Sequence, residues 1–369
     1  MRLIRLRVAG LRCLVEVDLA LAPGLNVIVG GNGAGKSSLI EAVHLMAYGR
    51  SFRGRVRDGL VRTGQSHLEI YTEWQEGPAV HRAGMRHSGQ DWQARLDGEP
   101  TQRLSDLCAQ VAAITFEPGS HALLGGSGEQ RRRFLDWGLF HVEPDFLASW
   151  RRYTRALKQR NALLKSRPSG RALDPWDHEM ATAGEILTRQ RQAYVAALEP
   201  GLERAAQAFL PELGRPEMDF QPGWKQAELG LADALLLARD RDLAMGFSTT
   251  GPHRADWRLG FATLPGREAL SRGQEKLAAL ACLMTQAEQH AHRRGGWPVI
   301  CLDDLASELD RNHQRQVLQW IRACGAQVLL TGTEVPESVQ SLGFSYRLFH
   351  VEQGLVRNGE TGEDHGHAV

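Results

Sequence analysis

Lys36 and Ser37 close the run Gly30-Gly31-Asn32-Gly33-Ala34-Gly35-Lys36-Ser37, which matches the spacing G-x-x-x-x-G-K-[ST]. Glycines at these steps let backbone N–H groups curl around phosphate oxygens. The lysine ammonium then reaches the β- and γ-phosphates of a nucleotide, and the serine hydroxyl ligates Mg²⁺. A helix that starts at the lysine adds the positive end of its dipole to the same place. Far downstream, Val299-Ile300-Cys301-Leu302-Asp303-Asp304 sets two carboxylates behind an apolar run. Asp303 suits a second ligand for Mg²⁺, and Asp304 suits the orientation or deprotonation of an attacking water. An Asp after a strand is also an ordinary helix cap, so this pair gains its meaning from the phosphate loop. Ser271-Arg272-Gly273-Gln274 stands just ahead of a helical run, and its plain reading is a Ser cap with Glu275 in the first turn.

The elements that must hold these groups are legible around them. A turn at Pro23-Gly24 leads into the buried strand Leu25-Asn26-Val27-Ile28-Val29, and the helix after the glycines turns Leu39, Ile40, Val43 and Ala47 to one side. Ile4, Leu6 and Val8 alternate, as do Val15, Val17, Leu19 and Leu21, and later Leu68, Ile70, Thr72 and Trp74; each set predicts a half-buried strand. Residues 111–116 and 299–302 predict buried strands. Residues 273–293 and 311–323 predict helices, and residues 327–331 and the segment from Tyr346 predict further strands. The middle has a different texture. Phe146, Trp150, Tyr153, Leu157 and Leu164 make an apolar helical stripe, 166–175 is a loop, and Met180, Ala183, Leu187, Tyr194 and Leu198 continue helically. Trp150 and Tyr153 are expected in the core rather than stacked on bases. The expected architecture is an α/β head built from residues 1–118 and 245–369, with residues 119–244 inserted as an antiparallel helical lobe. The last dozen residues, from Asn358, are polar and expected to be disordered.

The composition excludes several classes. At 369 residues and 42% apolar, the chain can bury a large core. It shows neither a secretory h-region nor any window of about 18 apolar residues. Five cysteines, none in a C-x-x-C pair, argue against a thiolate zinc module and a disulfide framework. Four of them sit among apolar neighbours, which fits a reducing, cytoplasmic location. Fourteen histidines show no metal-ligand spacing.

Leu270-Ser271-Arg272-Gly273-Gln274, about thirty residues before the Asp303 strand, resembles the signature motif of ABC-type ATPases, and Ser307-Glu308-Leu309-Asp310 resembles their D-loop. The resemblance implies that Ser271 and Gly273, with Gln274 beside them, bind the γ-phosphate of ATP held by a second subunit. Lys36 and Ser271 are 235 residues apart, more than a transporter subunit uses and far fewer than a full SMC chain. At this point the resemblance narrows to the RecF family of bacterial DNA replication and repair proteins. Ser51-Phe52-Arg53, Arg131-Arg132-Arg133-Phe134-Leu135-Asp136, Gln159-Arg160-Asn161-Ala162-Leu163-Leu164-Lys165 and Thr250-Gly251-Pro252-His253-Arg254 carry it, together with the Asp303 motif. It covers nearly the whole chain. It implies an α/β, ABC-type (SMC-like) ATPase head with an inserted helical lobe. It implies further that the cofactors are ATP and Mg²⁺, and that two copies close around two ATP molecules to clamp double-stranded or single-strand-gapped DNA. Slow hydrolysis would reset the clamp. RecR and RecO are the implied partners, and gap repair, the SOS response and replication restart the implied setting. Two features depart from the general ABC pattern. Asp304 stands where transporters carry Glu, and Thr331-Gly332-Thr333 lacks the usual switch histidine, leaving Thr331 or Thr333 as substitutes.

The formal net charge of +1 conceals a local field. Residues 129–171 carry eleven Lys/Arg against four acids, and Arg50, Arg53, Arg55, Arg57 and Arg62 surround Asp58 after the phosphate-loop helix. Such a field suits phosphate contacts to DNA, and equally a solvated helix face. Arg53 is close enough to the loop to touch either DNA or nucleotide, whereas His253-Arg254 reads as a structural turn. The rival readings are an ATPase subunit of a membrane transporter and an SMC-like scaffold.

Overall fold

The computed structural model describes residues 1–54, 59–166, 171–264 and 270–359. Contacts divide the chain into two compact units, residues 1–120 with 280–369, and residues 121–279.

The first unit contains two six-stranded sheets. One has the order β2-β1-β4-β5-β6-β7, entirely antiparallel, from β1 (Arg2–Ala9), β2 (Glu16–Ala20), β4 (Leu68–Glu76), β5 (Ala79–His87), β6 (Trp92–Leu96) and β7 (Glu99–Thr101). The other has the order β14-β13-β3-β12-β11-β8. Its strands are β3 (Leu25–Val29), β8 (Ala113–Phe116), β11 (Val299–Leu302), β12 (Val328–Gly332), β13 (Tyr346–Glu352) and β14 (Leu355–Asn358). Every neighbour pair in this second sheet is parallel except the β13–β14 hairpin. Strands β3, β8, β11 and β12 are buried along their whole length. That is why they read as largely apolar runs, broken by Asn26, Thr115 and Thr331, rather than as alternating ones. One core joins Leu6, Ile70 and Met85 of the first sheet to Ile28, Cys301 and Phe349 of the second. Leu39, Val43 and Leu45 of the phosphate-loop helix (Lys36–Tyr48) lie in the same core.

The alternation expected in β1 is broken. A register shift between Leu3 and Arg5 puts Leu3, Leu6 and Val8 inside and leaves Ile4 half-buried. Val15 precedes β2 and is 40% exposed. Of the cysteines, Cys108, Cys282 and Cys301 are buried while Cys13 and Cys324 are half-buried, so three rather than four behave as core residues; all five are free. No helix among the described residues is long and apolar enough to cross a membrane.

The second unit packs the first arm helix (Phe146–Lys165) antiparallel to the second (Asp174–Phe209), with Arg160 beside Asp177 and Arg152 beside Glu179. Pro175 lies in the first turn of the second arm helix, where a missing N–H costs nothing, and so belongs to the helix rather than to the loop before it. The buried face of the first arm helix runs Phe146, Ser149, Tyr153, Ala156, Arg160, Leu164. Tyr153 is in the core as expected, but Trp150 is 38% exposed and Leu157 only half-buried. The heptad steps counted from the aromatics drift from the 3.6-residue helical repeat. The unit is not purely helical, because Pro216–Gln221 (β9) pairs with Asp256–Phe261 (β10) in an antiparallel ribbon. Arg55, Arg57, Asp58 and Arg167, and the tail from residue 360, lie outside the described residues.

Candidate functional site

The phosphate loop leaves the carboxyl end of β3 and enters its helix at Lys36, with Gly35 at φ 121° as the residue before the first turn. Two contacts force its glycines. A Cβ on Gly30 would lie 2.2 Å from the Val351 carbonyl oxygen, and one on Gly35 would lie 2.8 Å from Leu14 Cδ2. The Lys36 ammonium, almost buried, donates to the carbonyls of Gly30 (2.8 Å) and Gly31 (2.9 Å). The β13–β14 turn braces the loop from outside. Gly354 N–H donates to Ala34 O at 2.9 Å, and Gly354 O accepts from Val15 N–H at 3.2 Å. Here too only glycine fits: φ is 80°, and a Cβ would sit 2.1 Å from Cys13 O. A cleft of about 520 Å³ lies between loop residues 31–34 and the hairpin residues Val351, Glu352, Gln353, Leu355 and Arg357.

Strand order brings the acids to this loop. β12 lies between β3 and β11, pairing Thr331 with Ile28 on one side and Leu330 with Leu302 on the other. Asp303 follows β11 directly and is 4% exposed. Its Oδ1 accepts from Thr331 Oγ1 at 2.7 Å, and the Ser37 hydroxyl hydrogen-bonds the same carboxyl. Burial pushes the Asp303 carboxyl above the usual carboxylate range, opposed by those two hydrogen bonds and by the charge of Arg53. Asp304 adopts φ 54°, ψ 43°, the left-handed region that non-glycine residues rarely enter. Its N–H donates to Thr331 Oγ1 at 2.9 Å, and its carbonyl accepts from Ser307 N–H and Oγ, both at 3.0 Å. Thr333 is exposed and takes no part in these bonds. Asp310 caps the helix Arg311–Cys324, accepting from Asn312 and His313 N–H, and these bonds hold its carboxyl low.

Glu41, buried in the phosphate-loop helix, gathers the Ser51-Phe52-Arg53 element. Arg12 pairs with it twice (2.8 and 3.0 Å), Ser51 Oγ donates to it, and Arg53 Nη1 stands 3.9 Å away. The Arg53 charge also acts on Asp303. Arg62 donates to the Cys13 carbonyl.

Lys36, Ser37, Asp303 and Asp304 thus converge within one unit, whereas Ser271, Gly273 and Gln274 belong to the other. There Gln274 N–H donates to Ser271 Oγ (3.3 Å) and Ser271 N–H donates to Gln274 Oε1 (2.9 Å), a reciprocal capping box on the helix Arg272–Arg294. Ser271 and Gly273 are exposed.

Much of the basic field is engaged in ion pairs and hydrogen bonds within the second unit. Arg131 pairs with Asp256 through two bonds (2.6 and 2.9 Å), and Arg132 donates to Ala255 O (2.7 Å). Arg133 pairs with Glu129, and Arg152 with Glu179. Arg160, fully buried, binds Asp177 (2.5 Å), Asp242 (2.6 Å) and Ser248 Oγ (2.8 Å), while Asn161 receives both Ser248 donors. In the Gly251-Pro252-His253-Arg254 turn, His253 Nε2 is 2.9 Å from the Ser248 carbonyl, so Nε2 carries the proton and Nδ1 accepts from Tyr153 OH at 2.7 Å. The sequence elements rich in Arg and His therefore knit the second unit together. The exposed cations of the first arm helix are Arg152, paired with Glu179, and Arg155, Lys158 and Lys165. That helix carries six Lys/Arg and no acid.

Comparison with known proteins follows this geometry. The family model "RecF/RecN/SMC N terminal domain" matches residues 2–356. The chain is 59% identical over 361 residues to the DNA replication and repair protein RecF of Stenotrophomonas maltophilia, covering 96% of this chain and 99% of that one. A solved structure of the recombination mediator protein RecF with ATP, in the RecFOR pathway, superposes with a TM-score of 0.87 at 23% identity, covering 97% and 98%. An Smc head bound to the C-terminal winged-helix domain of ScpA superposes with a TM-score of 0.54 at 14% identity, with the same coverage. The fold is therefore that of an ABC-type, SMC-like ATPase head carrying an insertion.

Proposed function

The chain belongs to the RecF family, and from that premise we propose that it is an ATP-dependent DNA-binding protein of gap repair, replication restart and the SOS response, a slow ATPase used as a switch. The observation that carries the nucleotide half is the meeting of Ser37 and Asp303 beside Lys36 at the mouth of the parallel sheet. Family matches over 96% of the chain favour this reading over a transporter subunit.

In this reading Lys36 gives up its two loop carbonyls to bind the β/γ-phosphates, and residues 30–35 wrap them. A hydroxyl and a single carboxylate, Ser37 and Asp303, are hard oxygen donors of the kind that would hold Mg²⁺. Among the described residues no group of three His, Cys, Asp or Glu stands together, so no all-protein metal cage competes. Bound there, the ion neutralises phosphate charge. Asp304 orients the attacking water. Ser271 Oγ uses a lone pair on Gln274 N–H, which leaves its O–H free to donate to the γ-phosphate of ATP on a second copy, with Gly273 N–H beside it. The head built from the chain ends holds nucleotide, the inserted lobe holds DNA, and RecR and RecO receive the clamp in the cytoplasm.

Sedimentation with and without ATP·Mg²⁺ tests the shared site. The wild type is expected to dimerise with ATP, and Ser271→Arg to remain monomeric. Dimerisation indifferent to both would overturn the sandwich. ATP-dependent duplex binding that weakens steeply with salt is the matching test for the DNA half.

A further inference from the structure

The strand end of β12 presents Thr331, in the Thr331-Gly332-Thr333 run that holds no histidine. The residue is fully buried. Its hydroxyl is fully engaged. It spends its one proton on Asp303 Oδ1 (2.7 Å) and accepts the N–H of Asp304 (2.9 Å). One oxygen atom thus joins the carboxylate that would hold the ion to the backbone of the residue that would orient water.

The backbone of Asp304 explains what this junction does. A non-glycine residue at φ 54° is strained and persists only where its surroundings hold it. The Asp304 peptide is held from both sides, its N–H by Thr331 and its carbonyl by Ser307. The side-chain direction of Asp304 follows from that fixed backbone. Placing the anchor on β12 is a consequence of strand order, since β12 is hydrogen-bonded to both the phosphate-loop strand and the Asp303 strand.

We propose that Thr331 is the positioning residue for hydrolysis. Its hydroxyl sets Asp303 and Asp304 relative to each other, so that the chemical step depends on it while nucleotide binding and ATP-dependent dimerisation do not. This rests on the ATPase reading above.

The test compares Thr331→Val, which keeps the shape and loses the hydroxyl, with Thr331→Ser, which keeps the hydroxyl. Single-turnover ATP hydrolysis, affinity for a fluorescent ATP analogue with Mg²⁺, and ATP-dependent sedimentation are measured on the full chain. Thr331→Val is expected to slow hydrolysis about tenfold to a hundredfold, the scale of a displaced water-orienting group. Its affinity for the analogue should stay within about threefold, with dimerisation intact. Thr331→Ser should restore most of the rate. The proposal is overturned if Thr331→Val hydrolyses at the wild-type rate, if serine fails to rescue, or if binding and hydrolysis fall together. A wild type without ATPase activity would instead refute the underlying reading, so the two failures are distinguishable.

Discussion

Converting the outer row of the first arm helix to alanine (Arg155, Lys158 and Lys165 together) separates DNA contact from internal structure. At about 100° per residue these three fall within an arc of about 80°, opposite the buried face that contains Arg160. They span about 15 Å of helix. Arg155 and Lys158 are also like charges three residues apart with no acid on their helix, a small instability that a polyanion relieves. Each phosphate contact adds about 0.9 to the magnitude of the slope of log K against log salt. The triple alanine variant should therefore flatten the slope by about 2.7, removing about 40-fold of the affinity loss between 50 and 200 mM salt. Fluorescence anisotropy of a labelled duplex with ATP and Mg²⁺ reads this directly. The control is Arg160→Leu. It leaves Asp242, also fully buried, without its cation and should cost about 3–5 kcal/mol. In a unit of this size that lowers the midpoint of thermal unfolding by about 6–20 °C. An unchanged salt slope in the triple variant would refute the outer row as the phosphate contact. A flattened slope with unchanged stability in Arg160→Leu would refute the division into outer and inner arginines.

Gly354→Val should lower ATP affinity at least about tenfold, because its side chain would collide with Cys13 O and unseat the loop at Ala34. Gly77→Ala, at positive φ but with nothing within 4 Å, should leave ATP affinity unaltered in the same titration. Burial holds His253 neutral, with its pKa lowered from 6.5 to about 4. The unfolded chain therefore takes the proton first, and the contribution present above pH 6.5 is lost as pH falls toward 4. Denaturant unfolding at pH 7 and pH 5 should differ by about 2 kcal/mol less in His253→Gln than in the wild type; an equal difference would sink the assignment.

What could be read from sequence, and what could not, follows from how far the responsible interactions reach along the chain. The phosphate loop was legible because its glycines, its strand and its helix are contiguous. The Asp303 strand was legible because Val299–Leu302, a parallel strand covered on both faces, is apolar at every position. The fates of the arginines were not. Arg131 meets Asp256 125 positions away, and Arg160 meets Asp242 82 positions away, so a local charge count records them as free field. The brace at Gly354 left only a turn signal, Gln353-Gly354, with nothing to say that its N–H points at Ala34. β5 to β7 escaped notice because their burial is too partial to leave a clean alternation. Trp150 was misplaced because hydrophobicity was weighed without its exact angular position on the helix.

The place of β3 in its sheet has a consequence during synthesis. Both of its neighbours, β12 and β13, lie about 300 residues further along the chain, and Leu25–Val29 has no free edge once they dock. At about 5–20 residues per second, a ribosome leaves that apolar strand without sheet partners for roughly 15–65 s. The same docking brings Gly354 to the phosphate loop. A chain lacking residues 328–354 therefore has the loop's residues without its brace, and competence to bind nucleotide is expected only once that segment has emerged and docked.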